Sequence, residues 1–401
     1  MTKKLYYQDA YLKEFTAEIT NIRSAEGKVA LAFDRTAFYP EGGGQGADHG
    51  TITLIGEEKT FAVIDVQEEA EEVWHYLDGK NTDAFQTGQK ISGQIDWERR
   101  FDHMQQHSGE HIISGMLCSA FHCDNVGFHL GEDEVTIDYN VPITLEEVLE
   151  IEEKANRYIW ENHPLVEMWP SPDELGSIDY RSKKELEGAV RLISFPGADT
   201  CACCGTHVKC SAEVGLLKIT SAHKFHEGTR IMLYCGKRAM DFLSLNYQAN
   251  KKTAVLLSTK EEKTAEVVKK QMEELISLKT RLARIEEDYF TLWAENYQGR
   301  ENALIISDRL EAEEGRTLAD LIANNISGTV LVFTKVKGQK EEGTSVYRYA
   351  CLNRGEDITE FIKEMNMALS GKGGGRNGFA QGTVHAEAKQ IKKYLDGIMR
   401  P

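Results

Sequence analysis

The period of apolar and polar positions changes along the chain and divides it into four stretches. Up to residue 95 the pattern is short and alternating. Lys28–Phe33, Thr51–Ile55 and Phe61–Val66 are each bounded by turn residues, as in the strands of a small β-barrel or sandwich. The Gly42-Gly43-Gly44 run reads as a hairpin loop with left-handed backbone or close backbone approach. No strand-to-helix context follows it, so it is not a nucleotide fingerprint. Residues 96–240 mix both periods. A helix begins near Arg99 and carries a core-facing stripe of Ile112, Ile113, Met116 and Leu117. A second helix spans Leu145–Trp160, with Thr144 as N-cap and Glu147 completing a capping box. Phe128–Tyr139 reads as a strand or hairpin with Gly131 and Asp133 near its turn; Val190–Phe195 and Val214–Ile219 read as strands. Helices on an antiparallel sheet make an α+β domain.

Residues 241–296 contain neither Pro nor Gly, and Val268, Met272, Leu275, Leu278, Leu282 and Ile285 recur at spacings of three and four. That is an amphipathic helical arm that joins or dimerises domains. Residues 297–401 return to mixed periods, with strands at Ala303–Ile306, Gly328–Phe333 and Tyr347–Leu352 and helices at Glu360–Leu369 and Val384–Met399. Between these helices, a Gly371–Gly375 loop flanked by Lys372 and Arg376 has the groups to hold a phosphate, or is a plain linker. The expected architecture is therefore a multidomain α+β protein. It has an N-terminal β-barrel (1–95), an α+β domain (96–240), a long helical arm (241–296) and a C-terminal α/β domain (297–401).

Composition narrows the setting. Hydrophobic residues make up 41% of the chain, enough for several cores, with no apolar run long enough for a bilayer. The start, Met1–Gln8, turns polar too soon for a signal peptide. Eight cysteines, several in one short segment, fit a reducing cytoplasm and a metal site better than a disulfide framework. The net charge of −17 argues against general nucleic-acid affinity. An RNA substrate would need local basic patches: Arg99-Arg100, Lys218 to Arg238, or Lys251-Lys252 with Lys269-Lys270.

Two short stretches carry candidate chemistry. His107 and His111 are four apart on the predicted helix, so both imidazoles share one face. Ser108 stands where the familiar zinc helix motif has Glu. Such spacing is also common on solvated helix faces. Further on, Cys203 and His207 are four apart with Gly205 between them, which suits a tight turn. Together the pairs supply four ligands of the kind that zinc takes tetrahedrally. The bland alternatives are a buried thiol cluster and solvated histidines. Glu110, three residues after His107, lies on nearly the same face and is a candidate general base or a solvated carboxylate.

The two ligand pairs, the latter in a Cys-Gly-Thr-His-Val context, resemble the editing domain of alanyl-tRNA synthetase, and more closely the freestanding alanyl-tRNA editing proteins (AlaX). Thr36–Gly50 resembles the glycine-rich signature of the preceding barrel, and Val126–Gly131 the strand after the first histidine pair. Gly371–Arg376 with Ala380-Gln381-Gly382 resembles the C-terminal (DHHA1-type) domain shared with DHH phosphodiesterases, whose manganese motif is absent here. Cys204 departs from the synthetase pattern, which has Gly there, and Cys201, Cys204 and Cys210 leave the metal-binding sulfur open.

The resemblance implies a zinc-dependent hydrolase that deacylates tRNA(Ala) mischarged with serine or glycine. It implies zinc at His107, His111, Cys203 and His207, and water or amino-acid orientation by Gln106 and Gln45. For the segment with Lys372 and Arg376 it favours RNA-backbone binding or dimer support over catalysis. Rejection of alanine must depend on reading the serine hydroxyl, with Thr36 one candidate reader, and a homodimer is expected through residues 241–401. Four protein ligands would close a zinc shell, whereas a catalytic zinc keeps one position open. Either one ligand is loosely held, or zinc orients the substrate while a different water attacks. The chain starts at the barrel, with no aminoacylation domain ahead of it, so ligase activity is not expected. The rivals are editing of a different tRNA and a zinc-stabilised tRNA-binding protein without turnover.

Overall fold

In the computed structural model the described residues are 1–25, 28–79, 84–132, 134–182, 188–341 and 344–399. They form two compact units, Met1–Lys252 and Thr253–Pro401.

The first unit begins with six strands: Glu14–Ala25, Lys28–Phe33, Gly50–Leu54, Thr60–Glu69, Glu72–Leu77 and Lys90–Ile95. Antiparallel pairing closes them into a ring in the order Glu14–Ala25, Lys28–Phe33, Glu72–Leu77, Thr60–Glu69, Gly50–Leu54, Lys90–Ile95 and back to the first. Alternation along the strands turns Phe15, Ile19, Leu31, Phe33, Val63, Leu77 and Ile91 into one core. The glycine loop leaves this ring with Gly43 and Gly44 at φ +62° and +85°, conformations that side chains rarely adopt. A Cβ at Gly44 would lie 2.7 Å from Phe128. The loop is instead strapped to the next subdomain, its Gly44 carbonyl accepting from Leu130 N at 3.0 Å.

A 25-residue helix, Trp97–Phe121, follows. Asp96 caps it by accepting from Arg99 N, and it ends where His122 turns left-handed at φ 50°. Arg100 pins it to the ring. Its side chain is fully buried, with Nε donating to Asp48 at 2.9 Å and 3.0 Å and Nη1 and Nη2 to the carbonyls of Ala10 and Ala37. Removing one member of such a buried pair costs on the order of 3–5 kcal/mol. The helix packs with Leu145–Trp160 on a four-stranded antiparallel sheet, ordered Leu217–Phe225, Gly228–Cys235, Val135–Tyr139, Asn125–Leu130. Ile112, Ile113, Leu117, Val148, Ile151, Leu217 and Leu233 fill the interface. The Thr144–Glu147 capping box is present. Asp133, expected at the hairpin turn, lies outside the described residues. A separate three-stranded sheet, Val166–Met168, Leu192–Phe195 and Asp199–Ala202, leads into the cysteine turn.

Three expectations need correction. The helical arm is not continuous but two helices, Gly236–Leu256 and Thr264–Glu295. Ser258 adopts φ 51°, and the amides of Ser258 and Thr259 donate to Val255 O and Ala254 O. This is a Schellman ending that needs no glycine. The Gly371–Gly375 segment is not a loop. Lys372–Arg376 is the edge strand of a five-stranded sheet, paired with Phe379–His385. Asn377 and Gly378 turn the hairpin with φ 53° and 72°, a two-residue turn that Asn-Gly favours. Val384 therefore lies in a strand, and the last helix is Ala388–Leu395. The rest of the sheet is Ala303–Ser307, Thr329–Glu341 and Thr344–Asn353. Helix Ala312–Ala323 packs against it beside Phe290 and Ala294 of the long helix.

Candidate metal centre

One helix turn brings His107 and His111 together. The strand Asp199–Ala202 delivers the Cys203–His207 turn against them. The ligand atoms of His107, His111, Cys203 and His207 all lie within 4.8 Å of one another. Cys203 Sγ is 3.4 Å from His107 Nε2.

The hydrogen bonds behind the imidazoles fix which nitrogen points inward. Gln45 Oε1 accepts from Thr206 N at 3.2 Å, while Gln45 Nε2 donates to Thr206 Oγ1 at 2.9 Å. Gln45 Oε1 therefore also accepts from His107 Nδ1 at 2.9 Å. His111 Nδ1 donates to Asp199 Oδ2 at 2.8 Å. Burial opposes ionisation of Asp199, but the bonds from His111 and Arg181 outweigh it and hold the carboxyl below its ordinary range. Arg181 contributes two contacts, at 2.7 and 2.8 Å. His207 Nδ1 lies 3.4 Å from Ser108 Oγ. Its buried Nε2 finds no hydrogen-bond partner among the described residues, an arrangement costing roughly 1–3 kcal/mol unless something else satisfies it. Burial, followed by the neighbouring His107 and His111, pushes His207 well below the usual histidine value. It is thus held neutral, the form that ligates metal. Burial pushes the Cys203 thiol up, although Gly205 N donates to its sulfur at 3.3 Å. The donor set is one sulfur and three imidazole nitrogens, and it fits a soft, tetrahedral divalent cation.

Gly205 makes the turn possible. A Cβ there would lie 2.3 Å from His107 Cε1 and 2.4 Å from its Nδ1. Arg191 braces the same turn, donating to the Cys203 and Gly205 carbonyls at 3.1 and 2.7 Å while paired with Glu167. Of the other sulfurs, Cys204 is exposed and close to Gly43. Cys210 lies 3.5 Å from Glu213 Oε1. Cys201 groups with His111 and Asp199. His107, His111 and Cys203 open onto a cavity of about 560 Å³ that is also lined by Tyr7, Gly43, Gly44, Phe128, Trp169 and Arg191.

The remaining candidate residues do not join the ligand set. Gln45 is beside the ligands but acts through His107. Gln106 spends its amide on the backbone of Cys235, accepting at 2.7 Å and donating at 2.9 Å, so it ties the helix to the sheet. Glu110 is not solvated. It is buried, and accepts from Ser114 Oγ and Asn125 Nδ2 at 2.9 and 2.6 Å. Thr36 is fully buried, bonded to His75 Nε2 at 2.8 Å and to Phe38 N. Lys372 and Arg376 are exposed on the edge strand of the second unit. Several candidate basic groups are neutralised: Arg100 by Asp48, Lys218 by Glu152, Arg230 by Asp138 and Arg238 by Asp102. Sequence reasoning missed Asp199, Arg181 and Arg191. Strand alternation placed Asp199 on the face of Cys201, two residues on, and was the available signal.

Comparison with known proteins finds matches over three stretches of the chain. Residues 3–99 match the family described as tRNA synthetases class II (A). Residues 190–231 match the threonyl and alanyl tRNA synthetase second additional domain, and residues 297–400 the DHHA1 domain. The three stretches are similar to parts of the class of proteins that charge and edit aminoacyl-tRNA. Alanyl-tRNA editing protein AlaX-L of Pyrococcus horikoshii is 28% identical over 98% of this chain and 96% of its own length. Alanyl-tRNA editing protein Aarsd1 of Danio rerio is 26% identical over 96% and 94%. The chain is thus similar to the alanyl-tRNA editing proteins along nearly its whole length. An alanine–tRNA ligase of Methanobrevibacter smithii is 29% identical over 95% of this chain, which spans 44% of that ligase. Among the described residues no helix is long and apolar enough to cross a membrane.

Proposed function

We propose that this protein is an aminoacyl-tRNA deacylase that acts in trans on tRNA(Ala) mischarged with serine or glycine, using zinc held by His107, His111, Cys203 and His207. The observation that carries this reading is the convergence of three imidazoles and one thiol, with His107, His111 and Cys203 lining a cavity, in a chain matched end to end by editing proteins. Zinc bound there would polarise the ester carbonyl or supply hydroxide near neutral pH. The chain's own part is to hold the ligands. Gln45 and Asp199 fix the tautomers of His107 and His111, a contribution typically worth 10–100-fold in metal affinity or activity. We read the strand ring as a barrel whose glycine loop forms one wall of the cavity. The cytoplasm, reducing and the place where charged tRNA is used, suits a protein whose eight cysteines are all free. Lys372 and Arg376 offer exposed cations for the RNA backbone.

The protein acts as a homodimer through residues 241–401, with the long helix Thr264–Glu295 supplying its seam. Val268, Leu275, Leu282 and Tyr289 recur every seven residues, with Leu278, Ile285 and Leu292 in the second seam position, and all are exposed. In a parallel, in-register pair Glu274 faces the partner's Lys279, and Arg281 faces the partner's Glu286. In the antiparallel pair Arg281 faces the partner's Arg281 and Lys279 the partner's Lys279, so charge favours the parallel form.

A zinc-stabilised tRNA-binding protein without turnover is the rival. Cys203→Ala separates the two. The deacylase reading expects a folded variant that has lost hydrolysis, measured by release of serine from seryl-tRNA(Ala) beside a thermal melt. A folded, fully active variant contradicts the site.

A further inference from the structure

The same cavity has a wall that metal chemistry does not use. Trp169 leaves 52% of its surface exposed, yet it is held in place. Its indole N–H donates to Glu167 Oε1 at 2.9 Å. Its ring meets Tyr7 edge-on, with centroids 5.7 Å apart at 75°. Tyr7 lies with the Arg191 guanidinium 5.0 Å from its ring centroid. Arg191 is in turn paired with Glu167 and bonded to the carbonyls of Cys203 and Gly205. One network therefore locks an exposed indole to the turn that carries two metal ligands. A seryl or glycyl group is too small to need a 560 Å³ cavity, and neither carries a flat apolar surface. What an aminoacylated RNA brings to this site besides its ester is the terminal nucleoside. A pre-ordered aromatic face recognises unpaired bases by stacking, independently of charge. That matters in a chain of net charge −17.

We propose that Trp169, backed by Tyr7, is the stacking platform for the 3′-terminal nucleobase of the aminoacylated RNA and so sets the ester over the ligand cluster. This rests on the deacylase reading above, and the test keeps the two apart. The first probe is a short single-stranded RNA whose 3′-terminal base is 2-aminopurine, added to the zinc-loaded full chain. Binding to wild type should quench its fluorescence, and Trp169→Ala should abolish the quench. In deacylation of seryl-tRNA(Ala), Trp169→Ala should raise KM by about 5–150-fold, the usual worth of one stacked base. It should leave kcat nearly unchanged, and Trp169→Phe should restore KM. Equal quench and equal KM in Trp169→Ala would overturn the platform. So would a loss on serine ethyl ester, which has no base, as large as that on seryl-tRNA(Ala). Quenching that depends on Trp169 in a wild-type protein that hydrolyses nothing would support the platform and overturn the deacylase reading. Hydrolysis that ignores Trp169 would do the reverse.

Discussion

Replacing Gly205 with alanine tests the metal centre without removing a ligand. The added Cβ would stand 2.3 Å from His107 Cε1, 2.4 Å from Nδ1 and 3.0 Å from Gln45 Oε1. Carbon–carbon contacts relax near 3.5–4.0 Å, so the ring must retreat by about 1.2 Å or more. Metal bonds tolerate only about 0.2 Å. The retreat also breaks the 2.9 Å bond that sets the tautomer of His107. His107 should therefore leave the shell, and zinc affinity should fall at least about 10–100-fold, the loss typical of disturbing an orienting partner alone. Overpacking should cost the fold only on the order of 1–3 kcal/mol. The assay is competition for zinc against a chromogenic chelator, with thermal unfolding of the metal-free protein as the control. A folded Gly205→Ala variant that binds zinc as tightly as wild type would refute the ligand assignment of His107.

Two further predictions concern the scaffold. His75, buried beside Thr36 and Leu31, is pushed down to about 4 from 6.5 by burial. The folded state therefore excludes a proton that the unfolded chain accepts, and stability falls as pH drops from 6.5 towards 4. The loss is about 3 kcal/mol. Urea melts across that range should show it in wild type in excess of His75→Gln, and parallel curves for the two proteins would contradict it. Leu282→Lys places a charge in the centre of the proposed seam and should convert a dimer to monomer by light scattering; an unchanged mass would remove the seam as the interface.

Some features were legible because local sequence fixes them. The helix carrying His107 and His111 follows from apolar period, and the Leu145–Trp160 helix starts at its capping box as predicted. The Cys203–His207 turn was marked by its own spacing. Features set by contacts between distant elements were not legible. Glu110 has the pattern of a surface carboxylate, and only the approach of Asn125 shows it to be internal. Gln106 looks poised for chemistry until Cys235 arrives to take both ends of its amide. The break at Ser258 hides in a stretch without glycine, because the Schellman bonds stabilise a left-handed serine. The glycine strand reads as a loop by propensity. It is a strand because residues 373 and 375 must lie flat on Phe379–His385, where a Cβ would meet backbone. The Asn377-Gly378 pair was the available signal for that hairpin and went unused.

The most direct test of the central claim is deacylation of serine-charged tRNA(Ala), with alanine-charged tRNA(Ala) in parallel, before chelation, after it and after return of zinc. The account predicts loss of the seryl ester only, abolished by the chelator and restored by zinc. Equal stability of both esters with zinc-loaded, folded protein would contradict it and reduce the four ligands to a structural site.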